Sequence, residues 1–281
     1  MAIPLPKLTA LLFTPGSRLD RLPKAVASGA DGVIVDLEDA VAAPDKDRVR
    51  SEVIAYFKQH GRIPTDRPLA SVIRLNALRS PAGRADLAAV NAAGIRPDFV
   101  LLAKVESAAE VEQAARQLPE SVRLICLVET VLGVRCAHEI AAASPRLAAL
   151  AFGGLDLSAE TGGEPTWDAL LWPRTAVVHA CAAAGLLALE QPYIAFGDAP
   201  GLEEECVRTR PLGFVGKLAI HPNQVGIIQR AYQPTPEQVA RARQIVAAYD
   251  AAGGNAANFA GQMIDVPIYR SAQRVLRRAG T

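Results

Sequence analysis

The stretch "LICLVET" (residues 124–130) is an unbroken apolar run from Leu124 to Val128 that ends in a carboxylate, Glu129. A short apolar run of this kind is typical of a strand buried on both faces, as in a parallel sheet that helices cover on each side. The stretch therefore predicts a central strand of an α/β fold. It also raises the question of why such a strand ends in a charged side chain.

Seven further runs of this kind occur along the chain, and alanine-rich stretches with apolar residues at helical spacing lie between them. The eight predicted strands are 10–15, 32–39, 71–76, 98–104, 123–129, 147–153, 186–192 and 213–222. Eight strand–helix units in 281 residues predict an α/β fold of the (β/α)8 TIM-barrel type. We expect the barrel to occupy residues 1–230. Residues 231–281 are expected to form a C-terminal helical extension that packs on a neighbouring subunit.

The composition excludes several classes of partner. Lys and Arg number 30 against 29 Asp and Glu, aromatic residues make up 5%, and no basic block is present, so nucleic acid is not an expected partner. No stretch approaches the roughly 20 apolar residues that span a bilayer, and the first residues lack the features of a signal peptide. The four cysteines lack C-x-x-C spacing, which indicates neither a disulfide framework nor a zinc site. We expect a cytoplasmic protein without a membrane partner.

Polar residues follow the predicted strands at the end that forms the mouth of a TIM barrel, where the active site lies. They are Asp36, Glu38 and Asp39 after strand two, Arg74 and Asn76 in strand three, Lys104 and Glu106 after strand four, Glu129 after strand five, and Asp156 after strand six. Glu129 and Asp156 occupy equivalent places on adjacent strands, and Mg²⁺ usually takes one or two protein carboxylates. They are candidate metal ligands. Alternatively, Glu129 pairs with Lys104 or Arg74, and Asp156 caps a helix.

Arg74 stands among apolar residues in "SVIRLNAL", which predicts a buried guanidinium that holds a carboxylate or thioester oxygen of a substrate. The alternative is a structural salt bridge to Glu38 or Asp39. Gly153 and Gly154 precede Asp156, and their backbone amides could approach a ligand, although a glycine pair equally often marks a simple turn.

Three further candidates lie elsewhere in the chain. Arg21 and Lys24 follow the first strand and could meet the phosphates of a nucleotide-bearing substrate, or they could be solvated surface residues. His221 follows the eighth strand and could act as a base or orient a loop through hydrogen bonds. Asp265, in "GQMIDVPIYR", fits a helix N-cap, but it could also exchange a proton at the barrel mouth of a neighbouring chain.

Taken in order, the motifs resemble one known family. They are "LLFTPGSRLDRLPKA", "DGVIVDLEDAVAAPDKDRVR", "IRLNAL", "LAKVESA", "LVETVLGV", "LAFGGLDLSAETG", "GFVGKLAIHPNQV" and "GQMIDVP". Together they resemble the citrate lyase beta-subunit-like family, which includes citramalyl-CoA and malyl-CoA lyases, and the resemblance runs from about residue 9 to residue 276. Two motifs depart from the family pattern. Ala103 stands where Pro is usual, and "LEQPY" (189–193) differs from the citramalyl-CoA enzymes, which leaves the substrate open.

The resemblance implies a (β/α)8 barrel that binds Mg²⁺ and assembles as a homotrimer or homohexamer. It carries the metal ligands over to Glu129 and Asp156 and substrate binding to Arg74 and Glu129. It also makes Asp265 an acid that reaches the active site of the adjacent subunit. Glu38, Asp39 and Lys104 would then orient the metal's waters or Arg74.

The implied function is a Mg²⁺-dependent carbon–carbon lyase. It would cleave a 3-hydroxyacyl-CoA such as citramalyl-CoA or malyl-CoA to acetyl-CoA and a 2-oxoacid, pyruvate or glyoxylate. The alternatives are a citryl-thioester lyase, an aldolase on free 2-oxo-3-hydroxy acids, a malate synthase-like or thioesterase-like enzyme, and a subunit that binds a thioester without turnover.

Overall fold

The computed structural model of the protein describes residues 7–280, so residues 1–6 and 281, the outer ends of the two predicted segments, lie outside the described residues. Parallel strands close into a barrel in which each strand pairs with its neighbours in chain order and the eighth pairs with the first. They are β1 (Ala10–Pro15), β2 (Gly32–Asp36), β3 (Ala70–Leu75), β4 (Phe99–Leu102), β5 (Arg123–Val128), β6 (Leu147–Phe152), β7 (Leu187–Glu190) and β8 (Gly216–Ala219). The predicted (β/α)8 barrel is confirmed.

Several strands end earlier than the apolar runs predict, because side chains take over the backbone hydrogen bonds at the mouth. After β2, the N–H of Glu38 donates to Asp36 Oδ1 at 2.8 Å and turns the chain out of the sheet. After β8, the N–H groups of Ile220 and His221 donate to Gln224 Oε1 at 2.9 and 3.2 Å. Hydropathy does not register such side-chain acceptors, which end a strand while the sequence remains apolar.

Helices follow the strands. They are α1 (Leu22–Ala27), α2 (Lys46–His60), α3 (Pro81–Ala93), α4 (Ala108–Gln117), α5 (Val131–Arg135), α6 (Ala137–Ala142), α7 (Gly154–Thr161), α8 (Trp167–Ala184), α9 (Ala199–Thr209), α10 (Pro222–Tyr232), α11 (Pro236–Ala251) and α12 (Val266–Ala279). Many begin at Ser or Thr residues whose hydroxyl accepts a first-turn N–H, among them Ser80 before α3 and Thr166 before α8. In the described part of the chain, none is both long and apolar enough to cross a membrane.

The barrel interior is a packed apolar core. Successive side chains of a strand point to opposite faces, so every second residue enters the interior. The interior cluster consists of Leu8, Leu11, Ile34, Ala70, Val72, Phe99, Leu101, Ile125, Leu127, Ala148, Ala149, Ala151, Leu189 and Leu218. β4 and β5 contribute large side chains to this cluster, whereas the neighbouring strand β6 contributes only alanines. Large and small side chains together fill the space inside the barrel.

The chain divides into two compact units between Gln229 and Arg230. The second unit contains α11, a hairpin of β9 (Ala257–Phe259) and β10 (Gln262–Ile264), and α12. Helix α11 begins with a capping box, and the rings of Tyr249 and Tyr269 stack at 4.5 Å between α11 and α12. The predicted packing of this extension on a neighbouring subunit remains a prediction.

Candidate functional site

One layer of inward-facing side chains lies above the apolar interior, at the carboxyl ends of the strands. Each member follows a residue of the interior cluster by two positions, which continues the alternation of the strand. This mouth layer consists of Phe13, Asp36, Arg74, Ala103, Glu129, Gly153, Gln191 and Ile220. All of them except Ala103 line a cavity of about 420 Å³, the mouth cavity, which Asp156 also lines. The sheet thus brings polar residues from four strands to one cavity.

Arg74 forms the wall of the mouth cavity at the end of β3, where Asp36 on β2 is its register partner. Its Nε and Nη2 donate to the two carboxylate oxygens of Asp36 at 2.6 and 2.7 Å, and the guanidinium lies 4.6 Å from the centroid of the Phe13 ring. Burial lowers the pKa of Arg74, but the hydrogen bonds and charge of Asp36, with those of Glu38 and Asp39, raise it overall. Arg74 is a permanent cation, and its salt bridge is made chiefly with Asp36.

Glu38, Asp39 and Lys104 form an ion cluster beside Arg74. Arg74 Nη1 lies 3.0 Å from Glu38 and 3.4 Å from Asp39, and Lys104 Nζ lies 2.5 and 3.4 Å from the same two side chains. Burial raises the pKa of Glu38 against the opposing charge of Arg74. Burial also acts to raise the pKa of Asp39, but the hydrogen bond with Glu38 and the charge of Arg74 lower it overall. Glu38 and Asp39 contact Arg74 directly, whereas Lys104 contacts these two carboxylates, and the role of the three residues in orienting Arg74 remains a prediction.

Glu129 follows β5 directly, and its carboxyl group is buried, with 3% of the residue exposed. Its Oε1 accepts the backbone N–H of Lys104 at 3.0 Å, and Lys104 adopts a φ of +51°, a left-handed conformation that is strained for a residue with a side chain. Among residues 7–280, no Lys, Arg or His side chain forms an ion pair with Glu129. The alternative in which Glu129 pairs with Lys104 or Arg74 is therefore wrong, since only the Lys104 backbone reaches it.

Burial raises the pKa of Glu129 well above its ordinary range, and the neighbouring charge of Asp156 raises it further. Asp156 lies in the first turn of α7 without capping it, since Gly153 occupies the N-cap position, and its Oδ2 lies 3.6 Å from Lys104 Nζ. Asp156 as a helix cap is thus also wrong. Two mutually repelling carboxyl groups at one cavity, the more buried of them without a cationic partner, are a chemical environment that a divalent cation relieves.

The donor set fits Mg²⁺ more closely than a softer metal. Five carboxylates gather here, from Asp36, Glu38, Asp39, Glu129 and Asp156, against the two cations Arg74 and Lys104. Within the described residues, no group of three or more His, Cys, Asp or Glu side chains is arranged to hold a metal. Mg²⁺ takes hard oxygen ligands and usually keeps several waters, so two protein carboxylates suffice for it.

Gly153 and Gly154 are required by close packing. A Cβ on Gly153 would lie 2.6 Å from Glu129 Cβ, and one on Gly154 would lie 2.6 Å from Gln191 Oε1. Both N–H groups are used within the chain, the first by the carbonyl of Val128 and the second by Gln191. Neither N–H is therefore free to donate to a ligand, and substrate binding by these two residues, of which Gly153 lines the mouth cavity, remains a prediction.

Arg21 and Lys24 line a second cavity of about 400 Å³ together with His221. This cavity shares Phe13, Pro15 and Ile220 with the mouth cavity, so the two adjoin. The two basic residues thus line a cavity that adjoins the mouth cavity.

His221 acts as an organiser of its loop. Its Nδ1 accepts the N–H of Asn223 at 3.2 Å, and its ring stacks on Phe196 with centroids 5.1 Å apart. It does not line the mouth cavity. In the second unit, Asp265 is the N-cap of α12, and its Oδ1 accepts the N–H of Ile268 at 3.2 Å.

Among the residues of the mouth layer to which sequence reasoning gave no role are Phe13, Asp36 and Gln191. The signal for each was present, because each lies two positions beyond an interior residue of its strand. The alternation of side chains along each strand would have identified them, but only if it were known which alternate residues face the barrel interior.

Comparison with known proteins extends over nearly the whole chain. The family described as HpcH/HpaI aldolase/citrate lyase matches residues 9–222, and one described as a C–C bond lyase of the TIM-barrel fold matches residues 168–281. A citrate lyase subunit beta-like protein of Mycobacterium tuberculosis is 38% identical over 96% of this chain and 94% of its own length. An L-malyl-CoA/beta-methylmalyl-CoA lyase of Cereibacter sphaeroides is 33% identical over 95% and 93%.

A solved structure shows the same likeness. The crystal structure of the protein CitE from Mycobacterium tuberculosis in complex with magnesium, acetoacetate and coenzyme A has a TM-score of 0.81 and 36% sequence identity. The match covers 97% of this chain and 98% of that chain. By sequence and by fold, the chain belongs to the HpcH/HpaI aldolase/citrate lyase family.

Proposed function

We propose that this protein is a Mg²⁺-dependent carbon–carbon lyase that cleaves a 3-hydroxyacyl-CoA, such as citramalyl-CoA or malyl-CoA, to acetyl-CoA and a 2-oxoacid. The observation that carries the proposal is the buried Glu129 beside Asp156, at a cavity that adjoins a second one lined by Arg21 and Lys24. The malyl-CoA lyase and the magnesium- and CoA-bound structure among the relatives support it.

Glu129 and Asp156 are the residues that would hold Mg²⁺. When bound, Mg²⁺ supplies Lewis acidity, which lowers the pKa of a substrate hydroxyl and stabilises the carbonyl that replaces it. Lys104 donates its backbone N–H to Glu129, which leaves the second carboxylate oxygen available on the side of Gly153. The protein would thus contribute one carboxylate from the end of β5 and one from the first turn of α7, and water and substrate would supply the other ligands.

Arg74 stabilises the negative charge that develops on the thioester. In the cleavage, the hydroxyl group loses its proton to water and its oxygen forms the carbonyl of the 2-oxoacid. The bond between C2 and C3 of the acyl chain breaks, and its electron pair moves to the thioester as an enolate. A guanidinium already oriented by Asp36 stabilises that oxygen without reorganising during the reaction. Protonation of the enolate carbon then gives acetyl-CoA.

Asp265 is the proposed donor of that proton, acting on the active site of a neighbouring subunit. Its Oδ1 caps α12, and a capping carboxylate has a second oxygen that can carry a proton. Arg21 and Lys24, on the adjoining cavity, would bind the phosphates of CoA, since both are cations at the protein surface.

This chemistry requires that the chain assemble, and we propose a homotrimer or homohexamer. Met263, Val266 and Ile268, next to Asp265, are apolar and at least 39% exposed within the chain, which favours burial against another copy. We also propose a cytoplasmic location, which the four free cysteines support.

The test is an assay of malyl-CoA, citramalyl-CoA, methylmalyl-CoA and citryl-CoA with Mg²⁺ and identification of both products. Acetyl-CoA or propionyl-CoA released in equal amount with a 2-oxoacid supports the proposal. Turnover of free hydroxy-oxoacids with indifference to CoA would instead identify an aldolase, and CoA release without an oxoacid would identify a thioesterase. Binding of thioesters without turnover under any divalent metal would overturn the assignment as an enzyme.

A further inference from the structure

Gln191 links the end of β7 to the start of α7, the helix that carries the proposed metal ligand Asp156. It follows β7 directly, belongs to the mouth layer, is 7% exposed, and lines the mouth cavity. Its Oε1 accepts the backbone N–H of Gly154 at 2.6 Å, and both groups are buried. Gly154 is the first residue of α7, the helix that presents Asp156.

The hydrogen bond from Gly154 to Gln191 caps α7, although Gln191 lies outside the helix and its flanking residues. The first N–H groups of an α-helix lack partners within the helix, and a side chain at the N-cap usually accepts one of them. Helix α7 has Gly153 at its N-cap, which has no side chain to do so. Gln191 takes that place, so the start of α7 depends on a residue 37 positions later in the chain.

Close packing makes the position of α7 sensitive to this contact. The Gly153–Gly154 segment lies against Glu129 through its first residue and against Gln191 through its second, each so closely that an added Cβ would clash. Asp156 follows two residues later. A shift of the start of α7 therefore changes the position of the Asp156 carboxylate relative to Glu129.

A glutamine suits this task better than the carboxylates used elsewhere at the mouth. Its amide oxygen accepts a hydrogen bond without adding a further negative charge to a cavity where Glu129 and Asp156 already repel each other.

We propose that Gln191 is a positioning residue that caps α7 and thereby sets the affinity of the Glu129–Asp156 pair for a divalent cation. This inference rests on the proposed function, in which these two carboxylates hold Mg²⁺. Partners of metal ligands typically change metal affinity by about 10- to 100-fold when they are replaced.

The test is Mn²⁺ binding to the full chain without substrate, followed by electron paramagnetic resonance and by competition with Mg²⁺. Gln191→Met keeps the approximate volume but removes the acceptor, and we expect Mn²⁺ to bind about tenfold more weakly or worse. Gln191→Asn, whose shorter side chain falls short of Gly154, is expected to weaken binding as well. Turnover of either variant should recover when the Mg²⁺ concentration is raised. A general loss of structure would not be reversed in this way.

Gln224→Met is the matched control. Gln224 is also buried, its Oε1 also accepts backbone N–H groups, from Ile220 and His221, and its own loop carries no proposed ligand. Its Nε2 donates to the Tyr193 carbonyl at 2.6 Å, so this variant disturbs the loop after Gln191 without removing the acceptor for the Gly154 N–H. Its Mn²⁺ affinity should equal that of the wild type. Provided that Glu129→Gln abolishes Mn²⁺ binding, either of two results would overturn the inference. One is that Gln224→Met weakens Mn²⁺ binding as much as the Gln191 variants do, and the other is that both Gln191 variants bind Mn²⁺ with wild-type affinity. If the wild-type chain binds no Mn²⁺, the proposed function fails together with the inference.

Discussion

Asp36 and Arg74 are register partners at the ends of β2 and β3, and their side chains form a two-point ion pair inside the barrel mouth. The pair fixes the plane of the guanidinium, because two parallel N–H···O bonds allow it little rotation. The third nitrogen, Nη1, is left to Glu38 and Asp39. The cation of the site is therefore oriented before any substrate arrives.

Arg74→Lys should lose turnover by about 100-fold or more, since an ammonium group cannot reproduce the two-point pair or the oriented donors toward a developing oxyanion. Steady-state assays on the preferred thioester measure the effect. Arg62→Lys is the control, because Arg62 is 58% exposed and pairs with Asp98 before β4 at the opposite end of the barrel. Wild-type turnover in Arg74→Lys would show that Arg74 forms a structural salt bridge and takes no part in catalysis.

Glu129→Gln and Asp156→Asn should each abolish Mg²⁺-dependent cleavage, because each removes one of two charged oxygen ligands while keeping the side-chain shape. Turnover across a Mg²⁺ titration and Mn²⁺ binding measure the loss. Glu112→Gln, an exposed carboxyl group on α4, should leave both unchanged. Retained turnover with full metal dependence in either variant would contradict the ligand assignment.

Gly153→Ala should weaken Mn²⁺ binding and lower the free energy of unfolding by about 1–3 kcal/mol, the usual range for overpacking. The reason is steric, since the new Cβ would lie 2.6 Å from Glu129 Cβ and 2.8 Å from Glu129 Oε2. Thermal unfolding and Mn²⁺ titration measure the two effects. Gly197→Ala, where no heavy atom lies within 4 Å of an added Cβ, serves as the control. Wild-type metal binding in Gly153→Ala would show that Glu129 tolerates displacement.

Asp265→Asn separates the two roles considered for Asp265. Asn caps a helix about as well as Asp, so stability should be retained, but an amide cannot exchange the proton and turnover should fall. Asp265→Ala should lose turnover and also about 1 kcal/mol of stability, because the bond from the Ile268 N–H disappears. Rate assays and thermal unfolding of both variants measure this. An Asn variant with a normal rate would leave Asp265 as a helix cap only.

Thiol reactivity should be confined to Cys136 in the native protein. Burial raises the pKa of Cys181 and of Cys206 to about 12 and that of the fully buried Cys126 still further. A thiol of pKa about 12 is only about one part in 10⁴ thiolate at pH 8, and the thiolate is the reactive form. Alkylation followed by mass spectrometry should modify Cys136 first, as it is only partly buried.

The pH dependence of this labelling has a definite sign. A raised thiol pKa favours the neutral form, so labelling of the buried thiols should rise about tenfold per pH unit until the pKa is approached. Cys136→Ser should abolish the fast phase, and unfolding in denaturant should expose the remaining thiols. Rapid native labelling of Cys206 would contradict its burial.

The barrel was predictable from local pattern. The apolar runs predicted strands buried on both faces, and the stretches between them predicted helices. Both predictions depend only on the spacing of apolar residues along a short segment of chain. Glu129 and Asp156 could be named as candidates for the same reason, since both come directly at or after strand ends. The roles of Gly153 and Gly154 could not, because the atoms that a Cβ would meet belong to Glu129 and Gln191, which are distant in sequence.

The sequence by itself determined the eight strand–helix units, the apolar interior and the set of charged residues at strand ends. Only the tertiary structure decided their partners. Asp36 pairs with Arg74, the backbone N–H of Lys104 donates to Glu129, and Gln191 caps α7. These contacts form because barrel closure brings together residues that are 25 to 38 positions apart in the chain. Hydropathy depends on each residue and its neighbours, whereas the choice of partner depends on register and distance, which exist only once the barrel has closed.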